Sequence, residues 1–176
     1  ASVGETMVAA RLLQELKQAF PGYAVVFTCN TATGQATAER TIGKKADLIG
    51  YFPFDHPWLV KRFLGRLKPD CLLLIETELW PNVLTYSKRQ GVKIAVVNGR
   101  LDKSYRRLQK IGFYKSVMKL IDFIGVQTET DRERFIQLGA VPAKVEVTGN
   151  LKFDFDYPAI SENSKNEFLE SLAIAL

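Results

Sequence analysis

A chain of 176 residues, 47% hydrophobic and 24% charged, matches ordinary globular usage and is long enough to bury its own core: one domain, with room for a piece of a second. No apolar run approaches the ~20 residues that cross a bilayer as a helix, and no signal-peptide pattern is visible. One histidine and two cysteines without metal spacing exclude a His-rich or Cys-built metal centre, so Cys29 and Cys71, both in or beside apolar runs, are expected to be buried free thiols suited to a reducing compartment.

Net charge is +5, but it is unevenly spread. Residues 88–119 hold ten lysines and arginines against the single acid Asp102, a local +9 that leaves −4 for the rest of the chain. A concentrated patch of this kind implies an anionic partner.

The first helix is expected over residues 5–19, with Val8, Leu12, Leu16 and Ala19 on one face. A strand over Tyr23–Thr28 follows, and Thr28–Gly34 is expected to be a small-residue loop that can offer backbone N–H groups to an anion, although it has neither Walker nor G-x-G-x-x-G order. Next come a strand at Leu48–Phe52 and a helix at 57–67, with His56 at its entrance and Val60, Phe63, Leu64 and Leu67 together. The remaining strands are Cys71–Ile75, Lys93–Val97, Asp122–Val126 and Lys144–Val147, interleaved with helices at 81–90, 103–119 and 129–138. Gly91 and Gly139 stand where helix C-caps belong. Continuous apolar runs such as Leu72-Leu73-Leu74-Ile75 suit parallel strands covered on both faces. Strand–helix alternation therefore predicts an α/β fold with a doubly wound, Rossmann-like parallel sheet.

The ends of the pattern carry expectations of their own. The chain opens on a helix start, so a first strand is expected upstream. Residues 1–155 read as one domain; Phe155-Asp156-Tyr157-Pro158 breaks the alternation, and Ser164-Lys165-Asn166-Glu167 is a capping box opening a helix to Leu176. Residues 156–176 thus read as a linker and helix leading to a second lobe.

Ligands of open α/β sheets sit beyond the carboxyl ends of the strands, so the residues after each strand are the candidates for chemistry. Five loops should share that rim: Thr28–Gly34, Glu76–Asn82, Asn98–Arg100, Gln127–Glu129 and Gly149–Lys152. Ser2-Val3-Gly4-Glu5 either forms a capping box, with Ser2 at N-cap and Glu5 at N3, or sets Glu5 on the rim as a general base, with Gly4 admitting a substrate close to the backbone. Glu76 and Glu78, two apart after Ile75, would point to one side of an extended segment and invite a shared proton or a cation between them. They could equally be charge ahead of a helix that has Pro81 at N1. Lys152 could neutralise a carboxylate or phosphate, or simply pair with Asp154; Arg100 is a second anion ligand. The outer face of helix 103–119 could lie on anionic phospholipid. Nucleic acid is the competing partner, but no nucleic-acid motif accompanies the patch.

Together these segments resemble the Kdo transferase family, which transfers 3-deoxy-D-manno-octulosonic acid. The resemblance runs in order through Ser2-Val3-Gly4-Glu5, Thr31-Ala32-Thr33-Gly34, Phe52-Pro53-Phe54-Asp55, Glu76-Thr77-Glu78-Leu79-Trp80-Pro81-Asn82, Val97-Asn98-Gly99-Arg100-Leu101, Arg134-Phe135-Ile136-Gln137-Leu138-Gly139-Ala140 and Thr148-Gly149-Asn150-Leu151-Lys152-Phe153-Asp154. It implies one lobe of a GT-B glycosyltransferase, the acceptor-side half of an inverting enzyme that uses neither metal nor cofactor to move Kdo from CMP-Kdo to lipid IVA. It implies Glu5 as catalytic base, Glu76 and Lys152 as transition-state support, and Ser2, Gly4, Thr33, Gly34, Glu78, Arg100 and Asn150 as substrate-binding positions. It also implies the cytoplasmic face of a bacterial inner membrane, with that anionic surface as a partner, and an isolated fragment without activity. Gly99 departs from the alanine frequent in the family. The alternatives are another GT-B enzyme or epimerase acting on a UDP-sugar, a non-catalytic module for anionic lipid, and a flavodoxin-like regulatory domain, whose phosphoacceptor aspartate has no good counterpart in the Glu76/Glu78 loop.

Overall fold

The computed structural model describes residues 3–102 and 105–153, with side chains from Glu5 onward. Strands and helices alternate as α1 (Val3–Ala19), β1 (Val26–Cys29), α2 (Ala32–Thr41), β2 (Leu48–Tyr51), α3 (Pro57–Leu67), β3 (Cys71–Ile75), α4 (Pro81–Arg89), β4 (Lys93–Gly99), α5 (Tyr105–Lys110), α6 (Phe113–Met118), β5 (Phe123–Val126), α7 (Glu129–Leu138) and β6 (Val145–Val147). Every strand pairing is parallel, as the continuous apolar runs require. The strands fall into two sheets, β1-β2 and β3-β4-β5-β6.

The main core lies against the four-stranded sheet, where Ile94, Val96, Ile124 and Val126 meet Leu84, Met118, Phe135 and Leu138 from the covering helices. A second cluster joins α1 and α2 to the smaller sheet through Ala9, Ala10, Leu13, Phe27, Cys29, Ala38 and Ile42, with Ile75 of β3 packed against it. A third, of Val60, Leu64 and Val83, seats α3 on α4.

Several expectations need correction. Of the face expected for α1, Val8 is buried, but Ala9, Ala10 and Leu13 rather than Leu12, Leu16 and Ala19 complete the inward side, and Ala19 is exposed. Small side chains let α1 approach α2 closely, and this outweighs the larger leucines in phasing the helix. The run Thr31–Gly34 is not a loop: Thr31 caps α2, its Oγ1 accepting from the Gly34 N–H at 3.0 Å. The single helix expected over 103–119 is broken between Lys110 and Phe113 into α5 and α6. Cys29 is buried, but Cys71 is exposed at the start of β3, where the sheet edge leaves it uncovered. The linker and capping box beyond Phe153 lie outside the described residues, as do Ser2 and Lys103.

Gly139 ends α7 in the left-handed region at φ +116. A Cβ there would stand 2.8 Å from the Lys115 Cα, so glycine serves both the helix stop and the seating of α7 on α6. Gly99 is also confined: a Cβ would meet the Gly125 carbonyl oxygen at 3.2 Å and the Phe135 ring at 3.3 Å.

Candidate active site

The loops at the carboxyl ends of the strands do share one rim, stitched together by hydrogen bonds. Asn30 after β1 donates to Glu78 at 3.5 Å, Thr77 Oγ1 donates to the Arg100 carbonyl at 2.6 Å, and Gln127 Nε2 donates to the Asn98 carbonyl at 3.1 Å. Asn98 Oδ1 accepts the Leu151 N–H at 3.0 Å, tying the β4 exit to the β6 exit.

Lys152 closes the ring. Its Nζ lies 2.9 Å from Glu76 Oε1, although β3 and β6 are opposite edges of the four-stranded sheet. With strands spaced ~4.8 Å, the reach across β4 and β5 approaches 14 Å. The chain after β6 and the long Lys152 side chain cover it together, from a 3-10 turn at Leu151–Phe153 in which Asn150 Oδ1 accepts the Lys152 N–H at 3.0 Å. Asp154, the other partner expected for Lys152, lies outside the described residues.

Glu76 and Glu78 do not form the matched pair that an extended segment would give. Glu76 stands at φ +60, a left-handed conformation that costs about 1–3 kcal/mol in a side-chain-bearing residue, and the Leu79 N–H turns back to the Thr77 carbonyl at 2.7 Å. The chain is therefore tightly turned rather than extended. Glu76 faces Lys152, while Glu78 accepts from the Trp80 indole N–H at 2.6 Å. Asn98, at φ +55, is the second strained residue on the rim; asparagine tolerates that region better than most. Strain of this kind concentrates where function over-determines the backbone.

A cavity of about 430 Å³ opens beside this turn, lined by Glu5, Asp55, Glu76, Thr77, Glu78, Leu79, Trp80, Pro81 and Tyr114. Glu5, half-buried on the first turn of α1, faces the same space as Glu76. The cavity thus holds carboxylates on two walls, with the Lys152 ammonium paired to one of them. Among the described residues no group of three His, Cys, Asp or Glu side chains converges as a metal ligand set.

Other candidates are placed differently. Gly4 lies in the first turn of α1, and Ser2 is outside the described residues. Thr33 and Gly34 are in the first turn of α2 and do not line the cavity; the Gly34 N–H is already taken by Thr31, so it has none to offer an anion. Arg100 is exposed beyond the cavity lining. Asn150 shapes the turn that presents Lys152.

Asp55 was not a site candidate in the sequence, yet it anchors the cavity. Its two carboxylate oxygens accept the N–H groups of Asn82 and Val83, each at 3.0 Å, and its carbonyl accepts Asn82 Nδ2 at 2.7 Å. α4 has no cap of its own, because Trp80 at the N-cap makes no side-chain hydrogen bond; Asp55 supplies one from the β2–α3 loop. Asp131, buried in α7, acts similarly on the next loop, accepting the Leu101 N–H at 3.0 Å.

A sequence profile described as 3-deoxy-D-manno-octulosonic-acid transferase (kdotransferase) matches residues 1–155. The chain belongs to this family. Within the Kdo transferase family and beyond it, relatives are readily found. A 3-deoxy-D-manno-octulosonic acid transferase of Bordetella pertussis is 38% identical over 165 residues, covering 89% of this chain and 37% of the relative. A bifunctional glycosyltransferase/methyltransferase of Fusobacterium nucleatum is 35% identical over 176 residues, covering 98% of this chain and 27% of that protein. The chain therefore spans well under half the length of these curated relatives. Among solved structures, a putative UDP-N-acetylglucosamine 2-epimerase from Listeria monocytogenes superposes with a TM-score of 0.61 at 18% identity, covering 98% of this chain and 50% of that one. That likeness carries the fold: a parallel α/β lobe of the GT-B kind.

Proposed function

We propose that this chain is the acceptor-side half of an inverting glycosyltransferase that moves Kdo from CMP-Kdo to a glucosamine hydroxyl of lipid IVA. The observation that carries the reading is the convergence of Glu5 and Glu76 on one cavity with Lys152 paired to Glu76. In the step envisaged, the acceptor oxygen attacks the anomeric carbon of Kdo and the bond from that carbon to the CMP phosphate oxygen breaks. Glu5 takes the hydroxyl proton as the new bond forms, and CMP leaves with the electron pair. Lys152, held by Glu76, supplies fixed positive charge toward the donor carboxylate or the departing phosphate, where a preorganised cation is worth most. No metal or cofactor enters this step.

The second lobe would bring the donor site, so the 176 residues alone should not transfer Kdo. A strand preceding α1 would fill the edges that β1 and β3 leave unpaired among the described residues. The acceptor's lipid and the membrane's anionic surface would meet the basic region. There Arg106, Arg107, Lys110, Lys115 and Lys119 are exposed around the exposed apolar side chains Ile111 and Phe113. This would seat the enzyme on the cytoplasmic face of the inner membrane.

Donor choice tests the reading. The full-length protein, offered CMP-Kdo or UDP-N-acetylglucosamine with lipid IVA, should form product with CMP-Kdo alone. Turnover of the UDP-sugar instead would move the chain to the epimerase-like alternative.

A further inference from the structure

Of the polar groups that line the cavity beside Glu5 and Glu76, one has neither a part in the reaction above nor a hydrogen-bond partner among the described residues. Tyr114 sits on α6 and lines the cavity together with the acidic turn. It is firmly held. Val117 and Met118, three and four residues along the same helix face, are buried in the main core, and the Tyr114 ring packs partly against that core. Its neighbour Phe113 points the other way, exposed to solvent.

The other polar aromatic groups around this site are committed. The Trp80 indole N–H is held by Glu78, and the Tyr105 hydroxyl donates to Gln137 at 2.8 Å. The carboxylates are committed as well: Asp55 to the α4 N-terminus, Glu76 to Lys152, Glu78 to Trp80. The Tyr114 hydroxyl makes no hydrogen bond among the described residues. A half-buried phenol without a partner, in a cavity whose carboxylates only accept and whose Thr77 hydroxyl is taken by the Arg100 carbonyl, provides a neutral group that both donates and accepts. Its flat apolar ring gives a pyranose something to lie against. Apolar walls with a few convergent polar groups are the usual make-up of a small-molecule site.

We propose that Tyr114 is an acceptor-recognition residue, its ring packing on a pyranose of the acceptor and its hydroxyl hydrogen-bonding a sugar hydroxyl. This rests on the transferase reading above, in which the acceptor presents a glucosamine disaccharide at Glu5. A contact to the acceptor alone divides the kinetics: it moves the acceptor KM and leaves the donor KM in place.

The test uses the full-length enzyme with Tyr114→Phe and Tyr114→Ala. Tyr114→Phe keeps the ring and should raise the acceptor KM by about 2- to 12-fold, the worth of one net hydrogen bond. Tyr114→Ala also removes the ring and should raise it by roughly tenfold more, with the CMP-Kdo KM unchanged in both. An acceptor KM unchanged in Tyr114→Ala would overturn the proposal. So would donor and acceptor KM values that rise together, because that is the behaviour of a structural residue. If the unmutated enzyme does not use CMP-Kdo, the transferase reading fails by itself. Calorimetric titration with a glucosamine disaccharide then decides Tyr114: weaker binding by Tyr114→Ala supports the assignment, and equal binding or none by the unmutated protein overturns it.

Discussion

Lys152 and Glu76 stand at opposite edges of the four-stranded sheet and meet at 2.9 Å across its carboxyl ends. The side chains are 40% and 19% exposed, so the pair is only partly withdrawn from water. A pair in that setting contributes little to folding, about 0–1 kcal/mol. Its geometry is instead set by backbone: a left-handed Glu76 on one side and a turn pinned by Asn98 on the other.

Activity and stability should therefore separate at this pair. Lys152→Ala is expected to change unfolding free energy in urea by less than ~1 kcal/mol. In the full-length enzyme the same substitution should lower transfer by about 100- to 1,000-fold, the scale seen when one preorganised charge-stabilising group is lost. Parallel loss of stability and rate would assign the pair to the scaffold.

Asp55 should behave as a cap supplied from a distance. Asp55→Ala removes both acceptors from the Asn82 and Val83 N–H groups and should cost about 0.5–2 kcal/mol. Thermal unfolding of Asp55→Ala beside Asp55→Asn, which keeps one acceptor oxygen, checks this; the asparagine variant should fall between.

How much of this was legible in the sequence follows from where each signal lives. Helix α3 and strand β3 are legible to their observed ends, because their periodicity and their Pro and apolar boundaries are local. The rim was legible too, since a parallel sheet sends every strand exit to one side. Most of the α1 face and the helix α2 are not legible, because alanine and threonine carry little periodic contrast. The break before Phe113 is carried by one glycine, Gly112, in an otherwise helical pattern. Asp55 as a cap and Tyr114 as cavity wall depend on segments far apart in the chain, which no spacing rule brings together. The left-handed Glu76 is likewise a tertiary product: a carboxylate that looked like half of a matched pair is turned toward a lysine 76 residues away.

Acid should weaken the fold through Asp122. Burial pushes its carboxyl pKa up and is the largest single influence. Hydrogen bonds from Lys88 and the Ile94 N–H, with the charges of Lys88 and Lys144, together outweigh it and hold the carboxyl below the ordinary aspartate value. A folded-state pKa below the unfolded one contributes stability above the unfolded value, and that stability is lost as pH falls through the folded one. Circular dichroism followed from neutral pH downward should show Lys88→Met unfolding at a higher pH than the unmutated protein.

Gly139→Ala should be among the more damaging single-methyl additions. The methyl would meet Lys115 backbone at 2.8 Å in a left-handed conformation that alanine resists. A loss of about 1–3 kcal/mol is expected, read as a lowered Tm, whereas Gly65→Ala, with open space around the new Cβ in α3, should be neutral or stabilising.

The most direct measurement is transfer by full-length Glu5→Gln from CMP-Kdo to lipid IVA at saturating concentrations of both. Glutamine keeps the size of the side chain on the cavity wall but cannot take the proton, so kcat should fall at least about 100-fold while the acceptor KM stays near that of the unmutated enzyme. Turnover at the unmutated rate would contradict the account, because the carboxylate on the first turn of α1 would then have no part in the chemistry.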